Sequence, residues 1–266
     1  MNQTTHLIIR FLLVATGAFL LLLCGGFWMQ QPDVLTLWPW PDGRLSYIFI
    51  ASILAAIGAP VIWMGISGEL AGMRGGALDF AMTYLGLSVT LLAAGAVSKQ
   101  WVSVPFFLIL STASLVFNLV LFFATRNLDF QDKRPVPWLV RASFLLFFVV
   151  LVLVGIALIT RYTAVFPWPL QPQTSVVFGW IFLGAAVYFL YGLTQPYWGN
   201  FCGQLIGFLA YDLILLVPFL QHFGTVKAEH QLSLYVYTAV IIYSALLSLY
   251  FLFVHPQTRF GSRQQT

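Results

Sequence analysis

Leu37-Trp38-Pro39-Trp40-Pro41 is the stretch on which the reading of this chain turns, because Val165-Phe166-Pro167-Trp168-Pro169 repeats its pattern 128 residues further on. Each copy follows one long apolar segment and precedes three more. The plan predicted is all-α: eight transmembrane helices in two tandem, parallel four-helix repeats. Residues 1–127 form the first repeat, 128–138 a connector and 139–266 the second repeat. Four helices return the chain to the side on which it started, so the repeats are parallel and not inverted. Aligned at 128 without gaps, Pro39, Trp40, Pro41, Ile53, Gly75, Phe80, Leu85 and Leu87 all meet identical residues. Leucine and phenylalanine matches are cheap in membrane helices, so the weight rests on Pro-Trp-Pro and on the shared helix count.

Composition sets the solvent. Of 266 residues, 60% are hydrophobic and 8% charged, with a mean hydropathy of +0.90. A soluble domain carries about 25% charged residues, so this chain could not cover itself in water. Crossing the hydrocarbon core takes roughly 20 apolar residues as a helix, whereas a membrane β-strand alternates apolar and polar over about 10. The apolar runs here are continuous, which selects helices. Spans are expected near 7–27, 47–67, 76–97, 104–125, 139–160, 176–193, 199–220 and 232–254. Pro60 lies inside the second, where neighbouring helices tolerate it with a kink. The first is longer than a signal-peptide core and no cleavage site follows it, so it reads as an anchor.

Orientation follows from Lys and Arg. Eight of the twelve lie at the ends and loops expected on the side of both termini; Arg44, Lys99, Arg161 and Lys227 lie opposite. This predicts cytoplasmic termini in a cell membrane and places the Pro-Trp-Pro loops outside. Composition and repeat together read as a bacterial protein. A net charge of +4 spread over membrane boundaries gives no basis for nucleic-acid binding. Cys24 and Cys202 fall near opposite faces and are not expected to pair.

Trp38, Trp40 and Trp168 read first as an interfacial aromatic belt at headgroup level, and second as a gate. Asp79 and Asp212 are the two acids inside expected spans. An acid at helix-centre depth costs several kcal/mol, about 2.5–3.5 on insertion scales, and so defaults to a functional hypothesis. Asp212 lies nine residues past Gly203, roughly 14 Å along a helix, near the midplane. Asp79 lies about one turn inside the boundary. Tyr84 and Tyr211 are the expected hydrogen-bond donors to these acids. Because Asp212 aligns with Tyr84 and Asp79 with Gly207, a symmetric ion site is not supported. Glu69 and Arg74 read as an ion pair at headgroup depth. Gly199, Gly203 and Gly207, at four-residue spacing, read as a helix-packing seam; Gly68, Gly72 and Gly76 form a second row, partly in a loop.

Absent motifs bound the chemistry. His6, His222, His230 and His255 fall at helix ends or in loops, so no span offers an axial ligand of the haem or pigment kind. Metal spacings, phosphate loops and nucleophile elbows are also missing. The expectation is no cofactor and no enzyme. Two readings lead: a non-catalytic membrane subunit or scaffold that binds lipid or packs on other membrane proteins, and a proton-coupled or small-solute transporter using Asp212.

Overall fold

The computed structural model describes residues 3–97, 104–162 and 164–261, without the side chains of residues 94–97. Lys99 and Arg263, both used in the charge argument, lie outside the described residues. Eight helices are long and apolar enough to cross a membrane, and the described residues form no strand. The chain is a multi-pass membrane protein. In lipid a backbone N–H or C=O has no water partner, so each span satisfies its own as a helix.

In chain order these are α1 (Gln3–Trp28), the single helical turn α2 (Pro32–Leu35), α3 (Arg44–Ser67), α4 (Met73–Val97), α5 (Val104–Thr125), α6 (Trp138–Ile159), α7 (Pro172–Thr194), α8 (Trp198–His222) and α9 (Gln231–Leu249). A π-helical turn, Tyr250–Val254, extends α9. Several helices begin up to one turn before the first sustained apolar run, because their first turns hold the polar residues that face the interface. The loop expected between the first two spans is shortened by α2 and by this early start of α3. Helix α3 ends at Gly68, whose φ of 81° is left-handed and cheap only for glycine; its N–H donates to Met64 O at 2.9 Å.

Neighbouring helices pair as hairpins: α1 with α3, α4 with α5, α6 with α7, α8 with α9. Two further pairs, α3 with α8 and α4 with α7, join the first four spans to the last four. The α1·α3 crossing is built on glycines. A Cβ on Gly17 would stand 2.6 Å from Gly58 O and 2.6 Å from Ile62, and one on Gly58 would meet Gly17 O at 3.0 Å and Leu21 at 3.2 Å. The α6·α7 crossing has the same parts. A Cβ on Gly155 would meet Leu183 at 2.9 Å and Gly179 O at 3.0 Å; one on Gly179 would meet Ile159 at 2.7 Å and Gly155 O at 2.8 Å. Small residues let backbones approach where lipid supplies no hydrophobic drive between helices.

Both Pro-Trp-Pro loops sit at one end of the bundle, called here the Pro-Trp-Pro end. Each reaches across to the other four spans. Trp38 packs on Phe178 of α7, with ring centroids 5.9 Å apart, and Trp168 donates from Nε1 to Ser46 Oγ of α3 at 2.9 Å. Phe49, Phe166, Phe178, Phe182 and Phe219 complete an aromatic core there. A second aromatic core, with Phe144, Phe147, Phe189 and Phe201, fills the last four spans toward the opposite end. That opposite end holds the start of α1, the turn after α3, the connector between α5 and α6, and the segment after α9; it is called the connector end.

Candidate functional site

The α3·α8 seam positions the midplane. Pro60 has no N–H, so it leaves the carbonyl of Ala56 without its helical donor. Gly207 of α8 covers that carbonyl: a Cβ there would stand 2.8 Å from Ala56 O. Gly203 faces Trp63 of α3, and Gly199 faces the Glu69 carboxylate. The three glycines thus share one line of contact with α3 and the turn that follows it.

Asp212 lies on the inner face of α8, with 1% of its surface exposed. Among the described residues, neither of its carboxyl oxygens has a geometric hydrogen-bond partner. Ser244 of α9 lies against it, but the Ser244 hydroxyl is committed to Val240 O at 2.8 Å and Ile241 O at 3.2 Å. The donor expected from Tyr211 is absent. Its hydroxyl instead pairs with that of Tyr237 on α9, because the ring lies on the side of α8 that faces Phe49 and the Pro-Trp-Pro core.

Asp79 belongs to a different seam. On α4 it is half-buried and accepts from Thr83 Oγ1 at 3.4 Å. Gly184 of α7 presses on both residues, leaving no room for a Cβ. Tyr84 is within electrostatic reach of Asp79, but the polar group set against its hydroxyl is Ser114 of α5. Next along this seam, Trp180 of α7 lies over Gly86 and donates from Nε1 to Thr90 Oγ1 at 2.8 Å. The two acids therefore occupy separate inter-helix seams and do not form one site.

The aromatic loops divide. Trp168 is 5% exposed and inside the core, held there by Ser46. Trp38 and Trp40 are half-buried; Trp38 meets Trp40 edge-on at 5.4 Å, and Trp40 leans on Phe107 of α5 at 5.9 Å. The loop copies meet near Asp42, whose Oδ2 accepts from Gln171 N at 3.2 Å.

At the connector end, the expected Glu69–Arg74 ion pair does not form. Glu69, 2% exposed, turns inward and accepts from Gln131 N at 3.0 Å and Asp132 N at 2.9 Å, so that its carboxylate answers two backbone N–H groups of the connector. Arg74 points away, donating to Arg126 O at 3.1 Å and lying over the Phe130 ring, 4.7 Å from its centroid. Burial pushes the Glu69 carboxyl above its ordinary range, with the Asp132 charge adding to it and the backbone donors and Arg74 opposing it. The same connector caps α8: Trp198 N donates to Arg134 O and Gly199 N to Asp132 O, each at 2.9 Å. Asp132 and Arg134 pair at 2.6 Å, and Arg134 Nη1 reaches Gln257 O at 3.0 Å. Around them lies a cavity of about 380 Å³ lined by Trp63, Ser67, Glu69, Asp132, Arg134 and Cys202, among others.

Cys24 and Cys202 are buried and unbonded. Among the described residues, no group of three or more His, Cys, Asp or Glu is placed to hold a metal ion. Sequence reasoning missed Tyr237, Ser244 and Thr83, which matter only through helix pairing. It also missed the inward turn of Glu69, for which the charge-poor loop gave no signal. No family model, no curated protein and no solved structure matches the chain.

Proposed function

We propose that the chain is a non-catalytic membrane subunit, a scaffold that packs against other membrane proteins or holds lipid through its apolar outer faces. The observation that carries this reading is the sealing of Asp212, 1% exposed behind the α3·α8 and α8·α9 contacts. A solute pathway would bring a polar-lined cavity to that acid. The cavity at the connector end is lined by other residues. Two peripheral helices offer the docking surface: only 11% of the most apolar window of α1 and of α5 is buried, against 56% for α3.

The reading includes an internal repeat. The glycine crossings support it with a register of their own: Gly17 and Gly155 are 138 apart, Gly58 and Gly179 are 121 apart, and the Pro-Trp-Pro copies between them are 128 apart. Shorter links in the second copy account for the drift. In this register Arg10 aligns with Phe148, so Arg10 has no arginine counterpart in the second copy. The helix pairing is that of a pseudo-twofold: α1·α3 answers α6·α7, α4·α5 answers α8·α9, and α3·α8 answers α7·α4. The membrane is a cell membrane, with the connector end and both termini cytoplasmic, since Arg10, Arg74, Arg126 and Arg134 gather there. No enzymatic activity and no nucleic-acid binding are part of the reading.

Photo-crosslinking from Ile109 and Phe117 of α5 in native membranes tests it. Both positions are expected to capture the same membrane protein or lipid species, while Leu146 on α6 does not. Adducts that merely mirror the bulk lipid at all three positions would remove the reading. A second reading, solute movement coupled to protonation of Asp212, is favoured by its two carboxyl oxygens, which have no hydrogen-bond partner among the described residues. It requires solute flux in liposomes that Asp212→Asn abolishes.

A further inference from the structure

The two ends of the α4·α5 hairpin bring two arginines together. Arg74 is the second residue of α4 and Arg126 the first after α5, so both stand where an apolar span meets the headgroups. Arg74 is fixed in place. Its Nε donates to Ala71 O and its Nη1 to Arg126 O, each at 3.1 Å, and its guanidinium covers the buried Phe130 ring. A guanidinium fans out five N–H donors, and those on Nη2 have no partner among the described residues. The Arg126 side chain is exposed and makes no hydrogen bond among the described residues.

No acid balances the pair. Among the described residues, no carboxylate forms an ion pair with either arginine. The acids of the connector end are engaged elsewhere: Glu69 on the connector N–H groups, Asp132 on Arg134, and Asp129 beside Lys133 at 3.9 Å. Glu69 is within electrostatic reach of Arg74, but it is one charge against two. Inward from the pair, Phe123, Val120 and Val116 of α5 are 57%, 60% and 55% exposed, at the spacing of one helix face. From Arg126 to Val116 is roughly 15 Å along the helix, half of the hydrocarbon core of about 30 Å. One leaflet's acyl chain fills that depth. A guanidinium matches phosphate oxygens with parallel N–H donors. We propose that Arg74 and Arg126 hold the headgroup phosphate of an anionic phospholipid in the connector-end leaflet, with an acyl chain along Phe123, Val120 and Val116. A zwitterionic headgroup fits less well, because its ammonium would face two cations with no acid beside them.

This deepens the lipid-holding form of the proposed function and rests on it only in taking the outer face of α5 as lipid-facing. The test is native mass spectrometry of the purified full chain from mixed micelles, where orientation in a bilayer does not enter. The probes are phosphatidylglycerol and phosphatidylcholine with identical chains. Apparent affinity is expected to be higher for phosphatidylglycerol and to fall about fivefold in Arg126→Gln, the size of one cation's attraction to an anionic surface. It should fall further when Arg74→Gln is added. Arg126→Gln removes no hydrogen bond among the described residues, so it decides the matter even where Arg74→Gln fails to fold. Arg141→Gln, at an exposed position of α6 at the same end, should leave the affinity unchanged. Equal affinity for both lipids would overturn the site and leave the pair to an acidic segment of a partner protein. An equal fall in Arg141→Gln would overturn it in favour of diffuse surface charge, and displacement by inorganic phosphate in favour of a soluble anion. Loss of the preference in Arg126→Gln, while α5 crosslinks only bulk lipid, would keep this site and remove the scaffold reading. An unchanged preference in Arg126→Gln, beside a specific α5 adduct, would do the reverse.

Discussion

Replacing Gly179 by alanine tests the crossing on which the packing rests. The new Cβ would lie 2.8 Å from Gly155 O and 2.9 Å from Ile159 N, where ordinary contacts begin at 3.4 Å. Both atoms are backbone, so no rotamer change relieves the overlap, and α6 and α7 must separate by roughly half an ångström. At that displacement, contacts along the crossing forfeit about a quarter of their attraction. Overpacking of this kind costs about 1–3 kcal/mol. Alanine also raises helix propensity by about 1 kcal/mol, which would partly hide the effect. Gly76→Ala supplies the control, because nothing lies within 4 Å of a Cβ there. Equilibrium unfolding in mixed micelles should place Gly179→Ala below Gly76→Ala by about 1–3 kcal/mol. Equal stability of the two variants would refute the close crossing. Gly17→Ala and Gly58→Ala probe the corresponding crossing of the first four spans, and a loss confined to one half would refute the repeat.

Glu69→Ala should destabilise by about 1–3 kcal/mol, since it removes the acceptor of the Gln131 and Asp132 N–H groups. For Glu69 itself, the folded carboxyl binds its proton more tightly than the unfolded one. Its contribution is therefore fully present below the ordinary value of 4.5 and is lost as pH rises through the raised folded value. Thermal melts of wild type should show that decline and Glu69→Gln should lack it; identical profiles would exclude Glu69 as the source. Trp168→Phe removes the hydrogen bond to fully buried Ser46 and should cost about 1 kcal/mol, read by the same unfolding assay. Cys24 and Cys202 should resist alkylation in the folded protein and both react after unfolding without reductant, since each is a buried free thiol.

Much of this architecture is written along the chain. Lipid leaves an apolar run one conformation that satisfies its backbone, so helix number and approximate ends follow from hydropathy alone. The second span was expected at 47–67 and forms at Arg44–Ser67; the fourth forms at Val104–Thr125, as expected. Asp79 and Asp212 stand out in the same way, because charge within an apolar run is conspicuous. What pairs with what is not legible there, since the groups that meet lie far apart in sequence and one apolar face resembles another. Tyr211 met Tyr237 and not Asp212; Glu69 met the connector and not Arg74; Trp168 left the interface for Ser46. The sequence by itself determined the solvent, the helices and the acids placed among them. Only the tertiary structure decided that the first and last four spans lock through α3·α8 and α4·α7, and that Asp212 is enclosed with no hydrogen-bond partner among the described residues, because both depend on which helix faces come together.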